Sequence, residues 1–185
     1  MIHVAVIGGT STAPISEVKL GAAKTVGLLL GANPVHVLTS GIRHGLIGQV
    51  LDGLQGSSTP RSAVVVQGSG EEEHLHPAAG TLVLVPSVAH RKDVIMANAQ
   101  VLIALPGGLG TLDEIITFLL ERKRAASAKV LVVANVDGYF DQLSRLLENM
   151  VEEGFLKRKH LVGLHLEPDA QSAVKTAMEF GASVG

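Results

Sequence analysis

The sequence predicts an α/β fold, a single Rossmann-like three-layer domain around a mainly parallel central sheet, and three observations lead there. Apolar runs such as Val4-Ala5-Val6-Ile7 and Val101-Leu102-Ile103-Ala104-Leu105 are continuous rather than alternating, the pattern of strands buried on both faces. Longer segments of helical periodicity separate them. Breakers fall at the junctions: Gly8-Gly9, Asn33-Pro34, Gly68-Ser69-Gly70 and Glu167-Pro168. Alternation of this kind builds βα units with right-handed crossovers, and hence a parallel sheet. With 185 residues, one domain spanning 1–185 is expected, large enough to bury a full sheet core.

In chain order, strands are expected over 2–7, 35–39, 62–67, 81–85, 100–105, 129–134 and 161–165. Helices fit 15–31, 43–54, 88–98, 110–124, 138–153 and 169–181. Residues 67–80 combine small residues, the triplet Glu71-Glu72-Glu73 and Pro77, and read as a loop and the most mobile piece of the chain. There is no internal repeat and no low-complexity segment.

Composition excludes several classes of function. The chain has no cysteine, so there is no disulfide framework, thiolate metal site or cysteine nucleophile. A formal net charge of −2 leaves no basic footprint for nucleic acid. Apolar residues make up 46%, yet no uncharged stretch approaches the roughly 20 residues of a membrane span. The apolar excess belongs to a sheet covered on both faces and to a subunit interface. Met1-Ile2-His3-Val4 enters a strand directly, with no basic region ahead, so no targeting peptide is evident and a cytoplasmic location is expected.

The most informative segment is Pro106-Gly107-Gly108-Leu109-Gly110-Thr111-Leu112-Asp113-Glu114. It joins a buried strand to a helix, at the sheet edge where open α/β folds bind ligands. Its glycines let the backbone approach a ligand closely, and exposed N–H groups at the helix start favour an anion such as phosphate. Glu114 falls one turn into the helix, beside whatever the glycines hold. A tight connection with Thr111 as cap accounts for the same residues without a ligand. Neither the P-loop pattern nor G-x-G-x-x-G is present.

Other candidates gather at the same edge. Gly8-Gly9-Thr10-Ser11-Thr12 follows the first strand and offers N–H and O–H donors to a nucleotide, or a helix cap at Ser11 or Thr12. After the second strand, Ser40-Gly41-Ile42-Arg43-His44-Gly45 places Gly41 at the edge and Arg43 within reach of a phosphate or in solvent. Arg91 and Lys92 sit at the start of a helix after Pro86-Ser87, where cations oppose the helix dipole at a cost under about 1 kcal/mol. A bound anion offsets that cost. His74-Leu75-His76 has a spacing that puts two imidazoles on one side of an extended segment, but no third ligand is placed, and no metal is assigned. Arg122-Lys123-Arg124 complements a helix C-terminus, and Lys157-Arg158-Lys159 reads as a solvated turn.

Arg91-Lys92 followed by the PGGLGTLDE run resembles the R-K and P-G-G-x-G-T-x-x-E signature of the Lonely Guy family, proteins often labelled lysine decarboxylases. The resemblance extends from Val4 to about Val133. It implies a homodimeric phosphoribohydrolase that cleaves the N-glycosidic bond of a nucleoside 5′-monophosphate, such as a cytokinin ribotide or AMP, to free base and ribose 5-phosphate. It marks Arg91 and Glu114 as the catalytic pair. With the strand-end loops above, the expected phosphate and nucleotide contacts are Gly8, Gly9, Thr10, Gly41, Lys92, Pro106, Gly107, Gly108, Gly110 and Thr111. No cofactor or metal is implied. The chain departs from the family where a glycine triplet usually follows the second strand: it reads Thr39-Ser40-Gly41. Ahead of Arg91, Val88-Ala89-His90 replaces the usual M-H-E. The related molybdenum-cofactor carrier branch shares the fold and the PGG loop, which leaves a non-catalytic nucleotide- or cofactor-binding protein as the alternative. A pyridoxal-phosphate decarboxylase is not supported, because no lysine stands in a context suited to a Schiff base.

Overall fold

The computed structural model describes residues 1–125 and 129–184. The chain runs β1 (Ile2–Ile7), α1 (Glu17–Gly31), β2 (Val35–Thr39), α2 (Gly45–Leu54), β3 (Arg61–Val66) and β4 (Thr81–Val85). It continues α3 (Val88–Asn98), β5 (Val101–Ala104), α4 (Leu109–Ala125), β6 (Val130–Ala134), α5 (Asp141–Glu152), β7 (Leu164–Glu167) and α6 (Ala170–Val184). The strands form one seven-stranded sheet in the order β4-β3-β2-β1-β5-β6-β7. Every pairing is parallel, so the sheet is wholly rather than mainly so.

Period-two alternation sorts the strands between two cores. Val4 and Val6 of β1 face α1, α2 and α6, together with Val35, Val101, Ile103 and Val132. Ala5 and Ile7 face the other side, with Ile95 of α3 and Ile115 and Phe118 of α4. These are the three layers. On the first face α1 and α2 touch backbone to backbone: a Cβ on Gly27 would stand 2.0 Å from the Val50 carbonyl oxygen, and one on Gly53 would stand 2.2 Å from that of Lys24.

The expected elements differ mainly at two starts. β7 begins at Leu164 rather than 161, because Arg158–His160 forms a one-turn helix and Gly163 turns the chain at φ 82°. α5 begins at Asp141 rather than 138, because Asp137 and Gly138 are left-handed. Ser16, not Ser11 or Thr12, stands at the start of α1.

The loop expected over 67–80 carries ordered structure within it. Glu71–His74 forms a one-turn helix, and Ile42 and Leu75 pair as a bridge. Arg43 N–H donates to the His74 carbonyl at 2.8 Å, and His76 N–H to that of Gly41 at 2.8 Å. Leu75 and Ala79 cover Ala63 and Val65 of β3. Backbone bonds and a small apolar cap hold the segment where composition alone suggests freedom. Of the basic run at the end of α4, Arg122 reaches the Val162 carbonyl; the side chains of Lys123 and Arg124 lie outside the described residues. No described helix is long and apolar enough to cross a membrane.

Candidate functional site

Strand order reverses at β1, which has β2 on one side and β5 on the other. The loops leaving β1 and β5 diverge at such a point and leave a crevice at the carboxyl edge of the sheet. Here they are stapled: Gly9 N–H donates to the Pro106 carbonyl at 2.9 Å, and Leu46 N–H of α2 donates to the Gly9 carbonyl at 2.7 Å. Above the staple lies a cleft of about 410 Å³, closed on its far side by α3. Its walls include Gly8, Gly9, Thr10, Arg91, Lys92, Gly108, Gly110, Thr111 and Glu114.

The glycines between β5 and the first turn of α4 are of two kinds. A Cβ on Gly107 would stand 2.1 Å from Thr111 Oγ1 and 2.9 Å from the Gly9 nitrogen, so packing demands glycine there. Gly108 and Gly110 have nothing within 4 Å of the same position and no positive φ. Neither packing nor backbone conformation requires them, and both line the cleft. The first amides of α4 have no partner within the helix and emerge at this point.

Glu114 projects into the cleft from the second turn of α4. Burial pushes its carboxyl up to about 7; the Arg91 guanidinium pulls the other way, Asp113 adds to the rise and Lys92 opposes it. A carboxyl poised near neutrality accepts or releases a proton at working pH.

The two cations arrive already paired. Ser87 accepts the His90 N–H and caps α3, which sets Arg91 and Lys92 on the cleft side of that helix. Arg91 Nη1 donates to both carboxylate oxygens of Glu71, at 2.7 and 2.8 Å. Lys92 Nζ donates to Asp113, at 2.8 and 3.1 Å. Thus the segment expected to be loose supplies the partner of Arg91.

Three expected contact residues stand outside the cleft. Gly41 is buried at φ 74°, and a Cβ there would stand 2.4 Å from that of Ala63, so its glycine serves the β2–α2 connection. Pro106 gives its carbonyl to Gly9, and Gly107 gives its carbonyl to the Tyr139 hydroxyl at 2.7 Å. Both hold the loop from behind. Arg43 turns to His74, 3.4 Å from Nδ1, and does not line the cleft.

Sequence reasoning missed Glu71, Asp113, Tyr139 and Ser40 as parts of the site. Ser40 lines the cleft, and its hydroxyl is buried without a hydrogen-bond partner among the described residues. A hydroxyl where the family pattern has glycine was the available signal. His74 and His76 do not converge: His76 Nε2 lies 3.0 Å from Asp52, whereas His74 stacks near His44 at 5.4 Å. Among the described residues no cluster of three or more His, Asp or Glu side chains could hold a metal ion.

The family model described as possible lysine decarboxylase matches residues 47–177. The chain belongs to that family. Its similarity to a probable cytokinin riboside 5′-monophosphate phosphoribohydrolase of Oryza sativa subsp. japonica is 29% identity, over 86% of this chain and 70% of the relative. An Arabidopsis thaliana protein named as the same phosphoribohydrolase is 26% identical over 86% and 74%. Other relatives of that name are spanned less fully, down to 46% of one from Arabidopsis thaliana. Among solved structures, the molybdenum cofactor carrier protein of Chlamydomonas reinhardtii superposes with a TM-score of 0.74 at 16% identity, over 98% of both chains. The molybdenum cofactor binding protein of Rippkaea orientalis gives 0.70 at 17%, over 96% and 94%. At these identities the superpositions establish a shared fold. The family membership fits the resemblance carried by Arg91-Lys92 and residues 106–114.

Proposed function

We propose that this chain is a nucleotide-binding domain over 1–185 that hydrolyses the N-glycosidic bond of a nucleoside 5′-monophosphate. The observation that carries the reading is a half-buried carboxyl, Glu114, held near neutrality within the influence of Arg91 in a cleft walled by glycines at a helix start. The 5′-phosphate would rest on the amides from Gly108 to Thr111. Breaking the C1′–N bond sends its electron pair to the base, which takes up a proton, while positive charge builds on the ribose. Glu114 as carboxylate stabilises that charge and takes a proton from the water whose oxygen bonds to C1′. General-base help of this kind contributes on the order of 10²–10⁴ in rate. Arg91 offsets the Glu114 charge and contacts the phosphate or the departing base.

A second reading keeps the same cleft without turnover. Its support is that Arg91 and Lys92 are each already matched by a carboxylate. The described aromatics include none that line the cleft, so the base is held by aliphatic walls such as Val6, Ile47 and Ile95. A homo-oligomer is proposed under either reading. Leu109, Leu112, Ile116 and Leu120 are exposed at intervals of one helical face of α4, with Leu109 at 85%, directly beside the cleft.

The deciding experiment is release of base and ribose 5-phosphate from a panel of nucleoside 5′-monophosphates, read by chromatography. Release lost in both Arg91→Ala and Glu114→Gln is expected. Wild-type turnover should rise with pH to a plateau above about 7, as Glu114 loses its proton. In Arg91→Ala the Glu114 carboxyl, followed by NMR, should titrate higher than in wild type, since the guanidinium holds it down. Binding with no release from any member selects the second reading.

A further inference from the structure

The cleft faces one side of the loop between β5 and α4, and Tyr139 grips the other. Its hydroxyl donates to the Gly107 carbonyl at 2.7 Å. A peptide unit is planar and trans, so the N–H of Gly108 points opposite to the carbonyl of Gly107. Holding that carbonyl toward Tyr139 therefore directs the Gly108 N–H away from Tyr139, and Gly108 lines the cleft whereas Tyr139 and Gly107 do not.

This peptide unit is the one in the loop most prone to turn over. Glycine stands on both sides of it, and rotation of the plane meets no Cβ at either residue. Turned over, it would present a carbonyl oxygen to the place where an anion is to sit.

The turn that carries Tyr139 is built with some strain. Among the described residues Asp137 is the non-glycine residue with positive φ, 61°, followed by Gly138 at 68°. A left-handed non-glycine residue persists where its surroundings fix it. Lys19 of α1 pairs with Asp137 at 3.2 Å and lies 5.9 Å from the Tyr139 ring centre. Asn135 Oδ1 accepts the Phe140 N–H at 2.7 Å, and Asn135 Nδ2 donates to Asp141 at 2.7 Å. The Phe140 ring meets that of Tyr139 edge-on at 5.0 Å. These contacts fix the position of a ring that is otherwise 46% exposed and whose hydroxyl bonds the glycine loop.

We propose that Tyr139 is a positioning residue that holds the Gly107–Gly108 peptide with its N–H toward the cleft and so keeps the anion cradle assembled. The inference rests on the reading of the α4 start as a phosphate site, but not on turnover. Tyr139→Phe removes the hydroxyl and keeps the ring packed against Phe140 and Lys19.

The test uses glycine-labelled ¹⁵N protein titrated with ribose 5-phosphate, followed by the Gly108 amide signal, with thermal unfolding as a check on the fold. Wild type is expected to bind with a saturable shift of the Gly108 amide. Loss of one hydrogen bond lets the turned-over peptide compete, and the apparent Kd in Tyr139→Phe should rise about 3–10-fold with little change in Tm. If the variant is also followed by turnover, KM should rise with kcat unchanged, a split that general loosening of the fold would not give. Equal Kd in wild type and variant would overturn the role of Tyr139 and leave the cradle standing. A wild-type Gly108 amide that does not respond to ribose 5-phosphate would overturn the cradle, and the role of Tyr139 with it.

Discussion

Two glycine-bearing loops leave the same edge of the sheet and use their glycines for opposite ends. In the β2–α2 loop, Gly41 is left-handed and wedged against Ala63, while Gly45 is left-handed with a would-be Cβ 2.4 Å from the Gly9 carbonyl oxygen. That loop is filled with protein. In the β5–α4 loop, Gly107 packs in the same manner, but Gly108 and Gly110 face open space. Glycine in a strand-to-helix loop is therefore no signature of binding by itself. What separates the two is whether protein or cleft occupies the missing side chain's place.

The sharpest way to break this comparison is to give each loop a methyl group. Gly41→Ala combines a left-handed alanine with a clash against Ala63 and should cost roughly 3 kcal/mol in chemical denaturation. Gly108→Ala should stay within about 0.5 kcal/mol of wild type, yet weaken monophosphate binding about tenfold or more by calorimetry. Equal stability losses would erase the distinction.

Glu114 tests whether the open loop faces a site with an electrostatic cost. Its carboxyl is raised in the folded chain, so the native state holds a proton that the unfolded state releases. Stability should fall as pH rises from about 4.5 to about 7, and the deficit is complete above that. Glu114→Gln should match wild type below about pH 4.5 and exceed it at pH 8 by at most about 3 kcal/mol. A flat difference across this range would mean that Glu114 titrates normally.

The smallest effect belongs to Ser40, at the mouth of the filled loop. Removing a buried hydroxyl with no partner should raise stability by up to about 1 kcal/mol in Ser40→Ala. If the ligand supplies the missing partner, the same variant should bind monophosphate several-fold more weakly.

How much of this was legible in the sequence follows from the range of the interactions. Val101–Ala104 and the glycine run after it were readable because strand, turn and helix start are local patterns. The cleft walls at Gly8, Gly108, Arg91 and Glu114 followed from the topology, since parallel strands bring all their carboxyl ends to one edge. The Arg91–Glu71 pair was not legible, because it depends on how residues 67–80 fold back, which three consecutive glutamates do not reveal. The packing of Gly41 was not legible either, because the pattern Ser-Gly after a strand is the same whether the glycine touches a ligand or Ala63. The late start of α5 hid behind Asp137, whose left-handed conformation has no strong signal in an aspartate.

The staple at Gly9 also bears on the order in which the molecule is made. β1 ends at Ile7, but its pairing with β5 awaits Val101, roughly ninety residues later. At ribosomal speeds of about 5–20 residues per second, the central strand waits about 5–20 s with one edge unpaired. Until β5 emerges, Gly9 has no Pro106 to hold and the cleft lacks the wall that the start of α4 supplies. A nascent chain stalled between β4 and β5 would carry a half-sheet whose most buried strand is its most exposed edge, and any factor that guards this protein during synthesis would have that edge to cover.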